Sequence, residues 1–178
     1  MKKRFINKLS KSIVAMGLIF STSFIANAAK IDAQKEVNIA SSRTHADIKN
    51  KIISYIENVT ITQGSLSIKA ELVQVLTDSK TQFKTYIAKG KPATFKQTLD
   101  DGTPIYLQAE EIKYEPEKHI VVISGNAELR QEGSKMNGSV ITYNFLTEEV
   151  LADSIDDEQV KSVIQPKQLE KIKSKDKN

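Results

Sequence analysis

The chain has 178 residues, no cysteine and no tryptophan, and a net charge of +4 from 26 basic and 22 acidic residues. This length is typical of one domain with tails, and the absence of cysteine excludes disulfides, thiol nucleophiles and thiolate metal sites. The first 28 residues hold five of the basic residues and no acid, so the remainder has 21 basic and 22 acidic residues. That balance does not indicate a nucleic-acid partner.

The first 28 residues have the three parts of a secretory signal peptide. A basic start is followed by an apolar segment over residues 13–25, and Ala26, Asn27 and Ala28 place small residues where a signal peptidase cleaves. The apolar segment is shorter than a membrane-spanning helix, although an uncleaved anchor is the alternative. We expect cleavage after Ala28 and export, and the cysteine-free body favours a bacterial periplasm.

Most of the remaining chain alternates apolar and polar residues over short segments, as β-strands with one buried face do. Turn residues between these segments predict turns around Gly64, Gly90-Lys91-Pro92, Gly102, Pro116 and Gly133. Residues 147–155 suit a helix by propensity, but they follow a predicted hairpin and we predict a strand. The other strands are predicted at residues 36–40, 52–56, 59–63, 68–75, 93–97, 107–114, 120–124, 127–131, 136–143 and 160–164.

A five-residue pattern of apolar, polar, apolar, polar, glutamine occurs three times at intervals of 34 residues. The copies are VTITQ (residues 59–63), ATFKQ (93–97) and AELRQ (127–131), and an alternating strand follows each one. A repeated hairpin that cannot bury its own apolar face stacks on its neighbours. The pattern therefore predicts an all-β sandwich, jelly roll or stacked-sheet solenoid.

Three segments that include these copies resemble the LptA (OstA-like) family, whose members are periplasmic proteins of lipopolysaccharide transport. VTITQG (residues 59–64), GKPATF (90–95) and SGNAEL (124–129) stand in the family's order, and the resemblance covers residues 37–169. Glu57 and Asn58 stand where the family commonly has Gly-Asn. The resemblance implies a twisted, partly open β-jelly-roll (β-taco) with an apolar groove over residues 29–166, followed by a flexible charged tail at residues 167–178.

The same resemblance implies a function. The protein would bind the lipid A part of lipopolysaccharide and carry it from the inner to the outer membrane as one module of a bridge. Its partners would be an LptC-like protein anchored in the inner membrane, the N-terminal domain of an LptD-like outer-membrane translocon, and further copies stacked head to tail. No enzymatic activity, catalytic residue, cofactor or metal is implied.

The alternating apolar residues are the candidates for lining a lipid groove. The pattern alone favours a closed, dry core, in which case the protein would be a periplasmic adaptor that joins others through its sheet edges, whereas the family resemblance favours an open groove. The edge segments 36–40 and 160–164 lack proline and are expected to accept further strands. The candidate groove residues are Val37, Ile39, Val59, Ile61, Leu66, Ile68, Phe95, Leu107, Leu129 and Met136.

The remaining polar residues give weak signals. His45 and His119 lie far apart in the sequence without a metal-ligand pattern, and the acidic residues 153–158 lack the order of a calcium loop. An enzyme acting on envelope glycans is a third hypothesis without a recognisable motif. Five lysines are candidates to meet lipid phosphates, with solvated strand faces as the alternative: Lys69, Lys84, Lys89, Lys91 and Lys96.

Overall fold

The computed structural model describes residues 35–155 and 159–166, so the predicted signal peptide and charged tail lie outside the described residues. The predicted all-β class is confirmed. Within these two ranges no helix has the length and apolar character that crossing a membrane requires. A 3-10 turn at Pro116–Lys118 accompanies ten strands: β1 (Asn38–Ala40), β2 (Arg43–Asp47), β3 (Ile52–Gln63), β4 (Leu66–Thr77), β5 (Lys84–Thr98), β6 (Pro104–Glu115), β7 (Ile120–Gln131), β8 (Ser134–Asn144), β9 (Glu149–Asp153) and β10 (Lys161–Val163).

All ten strands belong to one antiparallel sheet. The long strands β3 to β8 lie side by side in chain order, because short turns connect each strand to the next. Two short strands cover each end of this series. β1 and β2 pair with different parts of β3, and β9 and β10 pair with different parts of β8.

The pairing of the long strands is interrupted near their middle by bulges. A bulge bends its strand and increases the local twist, so bulges that are aligned across neighbouring strands fold the whole sheet along one line. We call this line the crease. The interruptions lie between Ile56 and Val59, Lys69 and Leu72, Lys89 and Ala93, Gln108 and Glu111, and Ser124 and Ala127.

Two of these bulges have the same left-handed backbone at positions 68 residues apart. Glu57 and Asn58 have φ angles of 64° and 53°, and Gly125 and Asn126 have φ angles of 76° and 50°. Glycine adopts this region without strain and asparagine does so more readily than most residues. Glu57 adopts it as well, and Arg43 on β2 donates a hydrogen bond of 2.5 Å to the Glu57 carboxylate.

The crease divides the sheet into two halves that face each other. The first half-sheet contains β1, β10 and the parts of β3 to β8 next to the turns at Gly64, Gly102 and Gly133. The second half-sheet contains β2, β9 and the opposite parts of the same long strands. Alternate side chains of both half-sheets meet in a shared core, in which Val59, Val73, Ile105 and Val121 are at most 1% exposed.

The strands and turns of the structure confirm some of the sequence predictions and contradict others. The edge strands are confirmed as β1 and β10, and the strand predicted within residues 147–155 is confirmed as β9. The turn predicted at Gly90-Lys91-Pro92 is wrong, because these residues form the bulge of a continuous β5. The alternation pattern also misses residues 84–89 of β5 and all of β2, whose only apolar residue is Ala46.

Candidate functional site

One row of apolar side chains crosses the inner face of the first half-sheet from the edge strand β1 to β8, and on the other edge strand, β10, Ser162 lies opposite the last member of the row. Neighbouring strands lie about 4.8 Å apart, so six steps make a row roughly 29 Å long. Its central members Ile61, Ile68 and Phe95 are each 1% exposed. We call it the inner row; its members, each directly opposite the next on the adjacent strand, are Ile39, Ile61, Ile68, Phe95, Leu107, Leu129 and Met136.

The inner row contains seven of the ten residues predicted to line a groove. Val59 and Leu66 lie beside it and are buried, whereas Val37 precedes β1 and is 41% exposed. Val37 nevertheless borders a recess of about 10 Å³ together with Ile61 and Tyr86. The structure thus brings all ten residues together on or beside the first half-sheet. Their contact with lipid stays a prediction.

The second half-sheet supplies the facing wall, which the candidate residues do not include. Two further rows run across its inner face with the same direct register. The sequence signal that could have revealed this wall is a shift in the alternation at the crease. In β4, the inner residues are even-numbered before the bulge and odd-numbered after it. The rows contain Tyr55, Val73, Ala88, Ile112, Ile123 and Ile141, and Val75, Tyr86, Tyr114, Val121 and Tyr143.

Five aromatic rings close the space between the half-sheets on the side away from the crease. Phe95 of the first half-sheet meets Tyr114 of the second with ring centroids 5.3 Å apart. Phe145, just after β8, lies 5.8 Å from Phe95 and 4.9 Å from Tyr143. Tyr86 extends the group at 6.2 Å from Tyr114. We call these five residues the aromatic cluster; its contacts hold the interior closed.

The buried tyrosines of the second half-sheet are held in their neutral form. Burial raises the pKa of Tyr143 to about 12, and the charge of Glu148 acts in the same direction. Burial also raises the pKa of Tyr86. A phenolate is poorly solvated in an apolar interior, which is the physical cause of both shifts. The second wall is therefore uncharged at neutral pH although it carries hydroxyl groups.

Gln97 places an amide in this interior. It follows Phe95 on the inner face of β5, lies opposite Ile105 and is 5% exposed. Among the described residues, its buried carboxamide oxygen Oε1 has no hydrogen-bond partner. Most buried polar atoms in proteins have a partner, so such an exception points to a functional role or to a local cost in stability.

Comparisons with known proteins identify the family. The family model described as "LptA/(LptD N-terminal domain) LPS transport protein" matches residues 38–149. The chain is 34% identical over 169 residues to the lipopolysaccharide export system protein LptA of Haemophilus influenzae, covering 94% of this chain and 98% of that protein. It is also 34% identical over 165 residues to LptA of Escherichia coli K12, covering 92% and 89% of the two chains.

The chain belongs to the LptA/LptD N-terminal domain family of lipopolysaccharide transport proteins. A solved structure of LptH, the LptA homologous periplasmic component of the lipopolysaccharide transport device of Pseudomonas aeruginosa, has the same fold. The TM-score is 0.70 at 24% identity, covering 76% of this chain and 99% of the other. The β-jelly-roll expected from the sequence resemblance is confirmed.

This LptA-family chain also has a groove with several charged side chains on the outer face of its first half-sheet. The groove has a volume of about 1190 Å³, and its lining includes Lys69, Lys96, Tyr106, Glu128 and Arg130. Two of the five candidate phosphate-binding lysines are therefore brought together here. The other three, Lys84, Lys89 and Lys91, lie on β5 but do not line this space. We call it the outer groove.

Glu128 organises one side of the outer groove. Its side chain is only 7% exposed, and it accepts hydrogen bonds or ion pairs from Arg130, Lys135 and Asn137. Burial alone would raise the pKa of Glu128, but these three donors outweigh burial and lower it. The carboxylate is therefore ionised at neutral pH and fixes two neighbouring cations.

The histidines and acidic residues form no recognisable site. His45 lies on β2 at one edge of the sheet, whereas His119 follows the turn between β6 and β7. In residues 35–155 and 159–166 no three histidine or carboxylate side chains are grouped as metal ligands would be.

Proposed function

We propose that this LptA-family protein binds the lipid A part of lipopolysaccharide between its half-sheets and carries it across the periplasm from the inner to the outer membrane. The observation that supports this most directly is the inner row. A continuous apolar track of roughly 29 Å that runs in register from the edge strand β1 to β8 suits a lipid that must pass through a module. A compact core would not require apolar residues in register on seven neighbouring strands.

Binding requires the two half-sheets to separate, because their inner side chains fill the space between them. The bulges at the crease are the natural hinge, and opening would pull the ring of Phe95 away from the rings of Tyr114 and Phe145. Each aromatic pair is worth about 0.5–1.5 kcal/mol. Each lipid methylene removed from water contributes about 0.8 kcal/mol, so a few acyl chains outweigh the separation of these rings.

A photocrosslinking amino acid in cells tests this proposal. Replacing Phe95 with a benzoyl-phenylalanine keeps an aromatic side chain on the inner row. The matched control is Ile87, an apolar residue of the same strand on the outer face of the second half-sheet. We expect lipopolysaccharide to be captured at position 95 and not at position 87. Equal capture at both positions, or capture only at position 87, would contradict a lipid site in the interior.

The rival hypothesis is an adaptor with a permanently closed core. It is favoured by the burial of Phe95 and Ile61, each 1% exposed. An absence of capture at position 95 in a folded, complementing protein would support this adaptor. In both cases we propose that the chain acts without catalysis, cofactor or metal, in the periplasm and after signal-peptide cleavage.

We further propose that the edges of the sheet join this chain to other modules of a bridge. The edge formed by β9 and β10 exposes several large apolar side chains, including Leu151 at 62% and Val163 at 60%. Unpaired backbone groups and apolar side chains on an edge favour addition of a strand from a partner. The partners are an LptC-like protein, an LptD-like N-terminal domain or a second copy, each of which would add its own strands to the sheet.

Two truncations test the role of this edge in self-association. One ends at Gln159 and removes β10, and the other ends at Pro166 and removes only residues 167–178. We expect light scattering to show concentration-dependent growth of the longer chain and loss of that growth without β10. Undiminished growth of the shorter chain would place the joint elsewhere, and loss in both would assign it to the tail.

A further inference from the structure

We propose that the outer groove binds the anionic saccharide part of the lipopolysaccharide whose acyl chains occupy the interior. This inference rests on the proposed function, and it assigns a second, polar subsite on the opposite face of the same half-sheet. The chemistry that the site recognises is a sugar carrying phosphate groups.

The floor of the outer groove places one aromatic ring between cationic side chains. Lys96, Tyr106, Arg130 and Lys135 lie directly opposite one another on four consecutive strands. The Nζ atom of Lys96 is 5.3 Å from the centroid of the Tyr106 ring, and Tyr106 is 44% exposed. An exposed ring can stack on the C–H face of a sugar, while cations on both sides meet phosphate oxygens with charge-assisted hydrogen bonds.

The charges of the groove favour an anion. Four cations, Lys69, Lys96, Arg130 and Lys135, line it together with two carboxylates, Glu128 and Glu132. Glu128 engages Arg130 and Lys135. Lys69 and Lys96, by contrast, form no ion pair with any acidic side chain in the part of the chain that the structure describes. The two lysines are therefore the cations available to a ligand.

The outer groove lies next to the margin at which the interior between the half-sheets would open. Its lining includes Gly64, Ser65, Gly133 and Ser134, which lie in or next to the turns at the margin of the first half-sheet away from the crease. A lipid whose acyl chains enter between the half-sheets at this margin places its sugars beside these turns. The volume of about 1190 Å³ exceeds the usual range of about 300–1,000 Å³ for small-ligand pockets, which leaves room for more than one sugar ring.

The test uses lysine pairs that differ only in location. Lys69→Gln/Lys96→Gln removes the two available cations of the outer groove. Lys84→Gln/Lys91→Gln removes the same charge from exposed positions on β5 outside it. The probe is deacylated lipopolysaccharide, a phosphorylated oligosaccharide without acyl chains, titrated calorimetrically into the mature protein. Its phosphatase-treated form and inorganic phosphate serve as comparison ligands, and thermal unfolding checks that each variant is folded.

We expect the wild-type protein and the Lys84→Gln/Lys91→Gln control to bind the phosphorylated oligosaccharide within about twofold of each other. Loss of two charged hydrogen bonds should weaken the groove variant at least about tenfold, which corresponds to about 1.4 kcal/mol. Tyr106→Ala should weaken both the phosphorylated and the phosphatase-treated oligosaccharide. Equal weakening by the two lysine pairs, or equal displacement by inorganic phosphate, overturns a saccharide site.

The two proposals can fail separately. Failure of the deacylated oligosaccharide to bind wild-type protein overturns the outer-groove site, and capture of lipid at position 95 would then leave the interior site standing. Binding of the oligosaccharide to the outer groove without capture at position 95 overturns the coupled arrangement, because the sugars would be bound without their acyl chains.

Discussion

The two half-sheets are built from the same six long strands, but their faces differ. The inner face of the first half-sheet is an aliphatic row with one ring, Phe95, and its outer face is polar and cationic. The inner face of the second half-sheet carries Tyr55, Tyr86 and Tyr114 among others, and its outer face includes apolar residues such as Leu72 and Ile87. A lipid held between them would meet an aliphatic wall with one ring on one side, and on the other side a wall in which four tyrosines stand among aliphatic residues.

This difference indicates separate roles for the two walls. The first half-sheet combines an apolar inner row with a groove that four cations line behind it, and under the proposed function it would serve both ends of an amphiphile. The second half-sheet contributes rings and the neutral hydroxyl of Tyr143, which is 2% exposed. Variants that change one wall and leave the other intact therefore test whether the two walls have different roles.

The largest expected effect comes from Phe95→Ala in the inner row. Phe95 is 1% exposed and contacts rings of both Tyr114 and Phe145. Removing a buried phenylalanine costs about 3–5 kcal/mol of unfolding free energy. Tyr106→Ala is the matched control, because it removes a ring from the outer face of the same half-sheet where the side chain is 44% exposed, and it should cost about 1 kcal/mol or less.

Urea denaturation monitored by circular dichroism measures both variants. A cost for Phe95→Ala no larger than that for Tyr106→Ala would show that the ring does not hold the half-sheets together.

The second expected effect is a loss of stability at high pH that belongs to the second half-sheet. Tyr143 ionises near 10 when exposed, and burial raises its pKa to about 12. The unfolded chain therefore loses this proton first, so the stabilisation is complete below pH 10 and is lost as pH rises from 10 to 12. Each unit corresponds to about 1.4 kcal/mol, which gives a total decrease of about 2–3 kcal/mol.

Tyr143→Phe isolates this contribution, because lysine deprotonation affects the wild type and the variant alike. The difference in unfolding free energy between wild type and variant should change by this amount between pH 9 and pH 12. A constant difference across that range would show that Tyr143 is not buried as the second wall requires.

The family, most strands and the first wall can be predicted from the sequence, because the VTITQ-type repeat keeps the same alternation of inner and outer residues throughout the first half-sheet. The second wall cannot be predicted in this way. In β4 the inner residues are Leu66 and Ile68 before the bulge and Val73 and Val75 after it, so alternation continued along the strand assigns Leu72 to the wrong face. Bulges leave little trace in composition, which is also why the sequence predicts a turn at Gly90.

The outer groove cannot be predicted from the sequence for a related reason. Lys69 and Lys96 are candidates along with three other lysines, and only the pairing of β4 with β5 and of β5 with β6 separates them from the rest. Tyr106 and Arg130 give no signal, because cross-strand register joins residues distant in sequence. Side-chain neighbours across a sheet depend on register, which a single sequence does not specify directly.

The third expected effect concerns the crease that joins the two half-sheets. Gly125 has a φ angle of 76°, and a Cβ atom there would lie 2.9 Å from the Oε2 atom and 3.0 Å from the Cβ atom of Glu110. Left-handed backbone costs an L-residue about 1–2 kcal/mol, so Gly125→Ala should destabilise the protein by at least this amount.

Glu57→Gly is the counterpart in the first repeat. Glycine at this position would release the left-handed backbone strain of Glu57. This gain is offset by greater freedom of the unfolded chain and by loss of the exposed ion pair with Arg43, so we expect the free energy of unfolding to change by no more than about 0.5 kcal/mol. Thermal unfolding of both variants checks the prediction. Equal effects at the two positions would show that the repeats do not share one crease geometry.

The smallest expected effect has the opposite sign and concerns the glutamine that ends the second copy of the repeat, ATFKQ. Gln97 is 5% exposed and its Oε1 atom is buried without a partner among residues 35–155 and 159–166, whereas Gln131 at the equivalent place makes a polar interaction. A buried polar atom without a hydrogen bond costs about 1–3 kcal/mol. Gln97→Leu should therefore stabilise the closed protein by about 1 kcal/mol.

Gln131→Leu is the matched control and should be neutral or destabilising, since it removes a side chain whose polar interaction is satisfied.

If the Gln97 amide meets a polar group of the lipid when the half-sheets open, Gln97→Leu should also weaken lipopolysaccharide binding while raising stability. Chemical denaturation and a lipid-binding titration on the same two variants measure both quantities. A destabilised Gln97→Leu protein would contradict the buried, unpaired amide, and unchanged lipid binding in a stabilised protein would show that the amide does not reach the ligand.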